Sequence, residues 1–140
     1  MLKEIIIEQR FTFKKEEKLK SRKLIEFLFK EGKSFSNFPF RVLYLLIPQN
    51  HSHLQTGFAV SAKHFKKAVD RNRIKRLSRE AYRLQKSFLT HALQTQKKFM
   101  IVFFIYTGNE IPEYKNVEER MQAALNRLNK TANEITDANT

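Results

Sequence analysis

Cysteine is absent from the 140 residues. That excludes a disulfide framework, a thiolate metal site and a Cys nucleophile, and accords with a reducing, cytoplasmic setting. No long apolar run is present either. The longest, Phe99 to Tyr106, falls far short of the ~20 residues that cross a bilayer, so neither a transmembrane helix nor a membrane partner is expected. The start, Met1 to Arg10, sets Lys3, Glu4 and Glu8 around Ile5-Ile6-Ile7, which is too short and too acidic for a secretory signal. Aspartate is scarce, with only Asp70 and Asp137, so a protein nuclease built on carboxylate-held metal ions lacks ligands. Glu110, Glu113, Glu118 and Glu119 read as a turn and a helix start. His51-Ser52-His53 sits in a polar loop without a third ligand, and His64 and His91 stand alone. No catalytic residue and no metal site are expected in the protein itself. Three Gly and three Pro leave little room for elaborate loops.

Basic charge, by contrast, is plentiful. Lys and Arg number 27 against 14 Asp and Glu, a net charge of +13 that favours a polyanionic partner. Residues 61 to 90 carry ten basic side chains against Asp70 and Glu80, which is +8 of the +13, whereas residues 91 to 140 balance at six against six. Concentrated charge of this kind is the footprint of nucleic-acid binding.

The length fits one domain, read as an extension over 1 to 13, a folded domain over 14 to 130 and a flexible tail over 131 to 140. Leu24, Ile25, Leu28 and Phe29 recur at helical spacing between Leu19 and Phe29, and Gly32 is placed to end that helix in a left-handed cap. Phe40 to Ile47, stopped by Pro48, reads as a strand, and Leu54 to Ser61, after a polar loop, as its hairpin partner. From Ala68 to about Leu89 the period is helical, with Ile74, Leu77, Ala81, Leu84 and Phe88 as one apolar stripe. Phe99 to Tyr106 is apolar enough for a central strand covered on both faces, closed by Thr107-Gly108-Asn109. Asn116 with Glu119 forms a capping box for a last helix that faces the core through Val117, Met121, Leu125 and Leu128. The order α-β-β-α-β-α predicts an α+β fold, a single-domain α/β sandwich with one small mixed sheet packed by helices.

At ~100° per residue the five apolar positions of the long helix span roughly 80°, and Arg71, Asn72, Lys75, Arg76, Arg79, Arg83 and Lys86 span about 140° nearly opposite. Arg73 falls at the apolar edge. The segment carries five Arg to two Lys, and the planar guanidinium fork suits phosphate. A solvated basic face normally interleaves Glu at i,i+4, yet Glu80 is the only acid inside the helix from Arg71 on, so a compensating polyanion is expected. The preceding segment reads as strand and basic loop rather than a short helix and tight turn, which argues against a helix-turn-helix and for RNA. A general or ribosomal RNA-binding protein without a catalytic assembly is the alternative reading.

The stretch Lys66-Lys67-Ala68-Val69-Asp70-Arg71-Asn72-Arg73-Ile74-Lys75-Arg76-Leu77-Ser78-Arg79-Glu80-Ala81-Tyr82-Arg83 resembles the signature of the bacterial ribonuclease P protein component. Phe29-Lys30-Glu31-Gly32, Gly57-Phe58-Ala59-Val60-Ser61 and the late apolar strand with its closing helix support it, over about residues 18 to 130. The resemblance implies a left-handed crossover, in a fold shared with the second domain of a ribosomal protein. It implies a subunit that assists a catalytic RNA in removing the 5′ leader from precursor tRNA, with Mg²⁺ held mainly by RNA and no protein partner required. Carried over by position, Arg71, Asn72, Arg73, Lys75, Arg76, Arg79 and Arg83 would meet the catalytic RNA. A cleft between the first helix and the sheet would bind the leader through Phe29, Tyr44, Ile25 and Lys63.

Overall fold

The computed structural model describes residues 12–139, with side chains to Glu134. All but the last two residues of the extension set apart by sequence therefore lie outside the described residues. A single 3₁₀ turn, Lys15–Glu17, precedes α1 (Arg22–Glu31), β1 (Lys33–Asn37), β2 (Phe40–Ile47), β3 (Leu54–Val60), α2 (Ala68–Gln85), α3 (Ser87–Thr95), β4 (Phe99–Tyr106) and α4 (Tyr114–Asn139). The strands form one mixed sheet in the order β1-β2-β4-β3, so the architecture is the expected α+β sandwich with one more strand and one more helix.

The expected β2–β3 hairpin does not form. β2 pairs antiparallel with β1 and with β4, and β3 pairs parallel to β4. Among the four strands β4 has the longest unbroken apolar run, and such a strand is most stable where neighbours cover both its faces and both its edges. It therefore takes the central place beside β2. The missed β1 holds only Phe35 as an apolar residue among Lys33, Ser34, Ser36 and Asn37, as befits an edge strand. It turns into β2 through a cis Phe38–Pro39 peptide, where Thr107 donates from its backbone N–H and its hydroxyl to the Pro39 carbonyl, at 2.7 and 3.0 Å.

Alternation along β2 and β4 sorts the side chains onto two faces. Val42, Met100, Val102, Phe104 and Tyr106 join Ile74, Ala81, Tyr82, Leu89, Leu93, Val117, Met121, Leu125 and Leu128 in the larger core, beneath α2, α3 and α4. Leu43, Ile47 and Ile101 pack with Leu19 and Leu28 beneath α1. On that second face Phe99, Phe103 and Ile105 remain half-buried, so the double cover expected for β4 is complete only on the α2–α4 side.

Several local expectations are corrected. α1 starts at Arg22 because the Ser21 hydroxyl accepts from the Leu24 N–H at 3.2 Å, an N-cap. Gly32 ends α1 in extended backbone (φ −72°, ψ 161°), not left-handed. A Cβ there would lie 2.3 Å from the Leu28 carbonyl oxygen and 2.7 Å from Leu28 Cδ1, so the requirement is space. The long basic helix stops at Gln85 and a separate α3 follows Lys86. α4 begins at Tyr114, directly after Pro112-Glu113, which places Asn116 inside the helix rather than at a capping box. α4 runs on to Asn139, past the boundary at 130 read for the folded domain, and Thr140 lies outside the described residues. Ala132 is fully buried and its carbonyl accepts from Lys98 Nζ at 2.9 Å.

Candidate nucleic-acid interface

The buried side of α2 is formed by Ile74, Ser78, Ala81 and Tyr82, while Leu84 and, in α3, Phe88 are exposed. The core stripe is thus rotated by roughly 70° from the one predicted. Ser78 can face the core because its hydroxyl donates to the Ile74 carbonyl at 2.8 Å. Tyr82 can because its phenol oxygen accepts from the Thr56 hydroxyl at 2.7 Å, and burial pushes that phenol's pKa up.

The rotation changes the membership of the basic face. Asn72, Arg73, Arg76 and Arg79 are exposed, and Arg73, expected at the apolar edge, stands on the open surface. Arg83 is half-buried and bidentate to Glu80, at 3.0 Å through Nε and 2.5 Å through Nη2. That guanidinium holds the Glu80 carboxyl below its ordinary range. Lys75 is half-buried. Lys86, expected on the basic face, is buried, and its ammonium donates to the Glu17 carboxylate. Burial, with repulsion from Lys14 added, pushes the Lys86 pKa down to about 8.

Arg71 has an additional task. Its Nη1 donates to the carbonyls of Phe65 and Lys66 at 2.7 and 2.8 Å. The Phe65 ring is buried beside Tyr106, 6.1 Å between centroids. Ring and guanidinium together fix the loop from Ala62 to Lys67, on which Lys63, His64, Lys66 and Lys67 are exposed. The basic surface therefore joins this loop to the outward face of α2.

The four residues assigned to a leader cleft are not brought together. Ile25 packs on the α1 face of the sheet. Phe29, 51% exposed, meets Phe103 edge-on at 5.4 Å on the same side. Tyr44 packs with the opposite core, tilted against Phe35 at 5.9 Å. Strand alternation requires this, and Leu43 and Leu45 take the α1 face instead. Lys63 lies in the loop beyond the end of β3. Phe103 was read only as core, yet it lies half-buried over Gly57, where an added Cβ would come within 2.7 Å of its ring. The period-two pattern of β4 set against Gly57 was the available signal. Arg41 is exposed on this face, opposite Ile105 in the ladder.

No helix among the described residues is long and apolar enough to cross a membrane, and no three His, Asp or Glu side chains there come together as a metal cage. His53 instead stacks on Phe99 at 4.4 Å, with its Nδ1 2.7 Å from the Lys98 carbonyl oxygen.

The chain matches the family model described as Ribonuclease P over residues 13–129. It is 39% identical over 119 residues to the ribonuclease P protein component of Porphyromonas gingivalis, covering 84% of this chain and 87% of that one. The Clostridium botulinum (strain Langeland) component is 34% identical over 117 residues, 83% of this chain and 95% of that one. The ribonuclease P protein of Thermotoga maritima superposes with a TM-score of 0.59 at 28% identity, covering 79% of this chain and 96% of that structure. With an exposed arginine face on the long helix, the sheet order described and a family match spanning the folded residues, the chain belongs to the ribonuclease P protein family.

Proposed function

We propose that this chain is the protein subunit of ribonuclease P and assists its catalytic RNA in endonucleolytic removal of the 5′ leader from precursor tRNA. Membership of the family supports the assembly. The observation that carries the RNA contact is the exposed run Asn72, Arg73, Arg76 and Arg79 on one face of α2, continuous with the Lys63–Lys67 loop. These groups bind phosphate by charge and by paired N–H donors. Bond cleavage falls to the RNA. In this reading Mg²⁺, held mainly by RNA, would supply charge stabilisation there.

The leader runs over the half-open α1 face. Phe29 and Phe103 offer ring surface to an unpaired base, Ile25 lines the floor, and Arg41 is placed for a phosphate. Tyr44 is not part of this surface, and Lys63 acts with the basic loop.

Reconstitution tests the reading. Precursor tRNA is cleaved by the catalytic RNA at low Mg²⁺ faster with this protein than without it, and the protein alone cleaves nothing. Cleavage by the protein alone, or an RNA whose rate and substrate affinity ignore the protein, refutes it. Phe29→Ala should weaken binding of leader-bearing substrate by ~1–3 kcal/mol relative to leaderless tRNA. Its melting temperature should change little, because the ring is half exposed.

A further inference from the structure

Between the first described residues and α1 the chain forms a strap along the outer edge of β3 and the end of α2. Lys18 bridges to Thr56, the Leu19 N–H donates to the Thr56 carbonyl at 3.0 Å, and Gln55 Nε2 donates to the Glu16 carbonyl at 2.9 Å. Phe13 inserts edge-on against Phe58 and Tyr82, at 6.0 and 5.5 Å. Glu17 receives the buried Lys86 ammonium.

These anchors set the strap beside a particular stripe of α2. Lys75, Arg79 and Tyr82 follow one another at four- and three-residue spacing, and Lys86 continues the row one turn further. The strap touches Tyr82 and Lys86, so Arg79 and Lys75 are the next positions on that flank. Lys14 and Lys15 are exposed on the strap at this border. Lys18 Nζ and Lys86 Nζ both approach the Phe13 ring, at 5.7 and 5.9 Å from its centroid. Two lysine ammoniums thus flank one aromatic ring, and Lys14, exposed next to Phe13 in the chain, adds repulsion on Lys86. Of the two nearby acids, Glu17 is taken by Lys86 and by the Lys14 backbone N–H, which leaves Glu16. Crowded like charge of this kind favours a polyanion that covers it.

We infer that Lys14 and Lys15 form a second contact for RNA phosphates, extending the basic face of α2 across the strap that Phe13 and Glu17 hold in place. This rests on the ribonuclease P reading. Lys86 thereby serves the interface indirectly: one helix lysine is buried, and the strap it anchors presents two others.

The test titrates the full chain against the catalytic RNA over a range of salt. Replacing Lys14→Gln with Lys15→Gln should lower the log–log salt slope by roughly 1.4 to 1.8, the value for two lost phosphate contacts, with an unchanged melting temperature. Glu17→Gln, which keeps both lysines but frees the strap, should lose part of that slope. In the double-Gln background the same Glu17 change should lose no more. An unchanged slope in the double variant overturns the inference while leaving the α2 interface intact. A wild-type protein that shows no salt-dependent binding overturns the functional reading and the inference together.

Discussion

Removing an ammonium from water costs several kcal/mol unless a carboxylate meets it, and Lys86 keeps its buried place by donating to Glu17. The two partners are unequal, with side-chain exposure of 5% for Lys86 and 19% for Glu17. Glu17→Gln therefore strands a buried charge and should lower unfolding stability by about 1–3 kcal/mol, between the values for exposed and fully buried pairs. Lys86→Met removes the desolvated charge itself, leaves Glu17 able to rehydrate, and should cost less. Urea denaturation of both variants checks the order. Helical periodicity put Lys86 among the surface cations because it does not register a strap arriving from 69 residues away. Tyr44 takes the opposite face from Ile25 and Phe29 for a comparable reason: a shift of one residue along a strand reverses the face, so Leu43 rather than Tyr44 packs on the α1 side. Gly32 was rightly singled out, but for backbone freedom rather than for the 2.3 Å approach to the Leu28 carbonyl that excludes a Cβ.

The elements themselves were unequally legible. β2 and β4 have the boundaries read from their apolar runs, Phe40–Ile47 and Phe99–Tyr106. β1 was missed because an edge strand needs only one inward apolar residue, Phe35. α2 and α3 were read as one helix because Leu84 and Phe88 prolong the apolar period. In the structure the helix breaks at Lys86, and Leu89 and Leu93 carry the core contact onward. The resulting rotation of α2 divides its arginines into different kinds, with Arg83 held by Glu80. Arg76 and Arg79 only face outward, whereas Arg71 also braces the basic loop. Arg76→Ala should flatten the salt dependence of RNA binding by about one unit of log–log slope without altering stability. Arg71→Ala should flatten it and also lower stability by ~1.5–3 kcal/mol, the range for hydrogen bonds to a charged group. Salt titration alongside thermal melting separates the two.

Across the whole molecule, α4 contributes to the fold beyond Lys130, through Ala132 and Asn133. Ending the chain after Lys130 removes fully buried Ala132, the carbonyl that receives Lys98 and the Asn133 side chain that receives Gln96 at 2.5 Å. Roughly 1–3 kcal/mol should be lost, from one buried methyl and two hydrogen bonds, and denaturant midpoints would show it. A tail that only frays would leave the midpoint unchanged. The α+β class, the two main strands, the basic helix and the family were all readable from local pattern, because periodicity, charge density and the Arg71-Asn72-Arg73 motif are properties of consecutive residues. Sheet order, the rotation of α2, the burial of Lys86 and the company kept by Phe29 depended on which distant segments came together. Those were decided in three dimensions, by β4 pairing with a neighbour along each edge, by Glu17 reaching Lys86, and by Gly57 leaving room for Phe103.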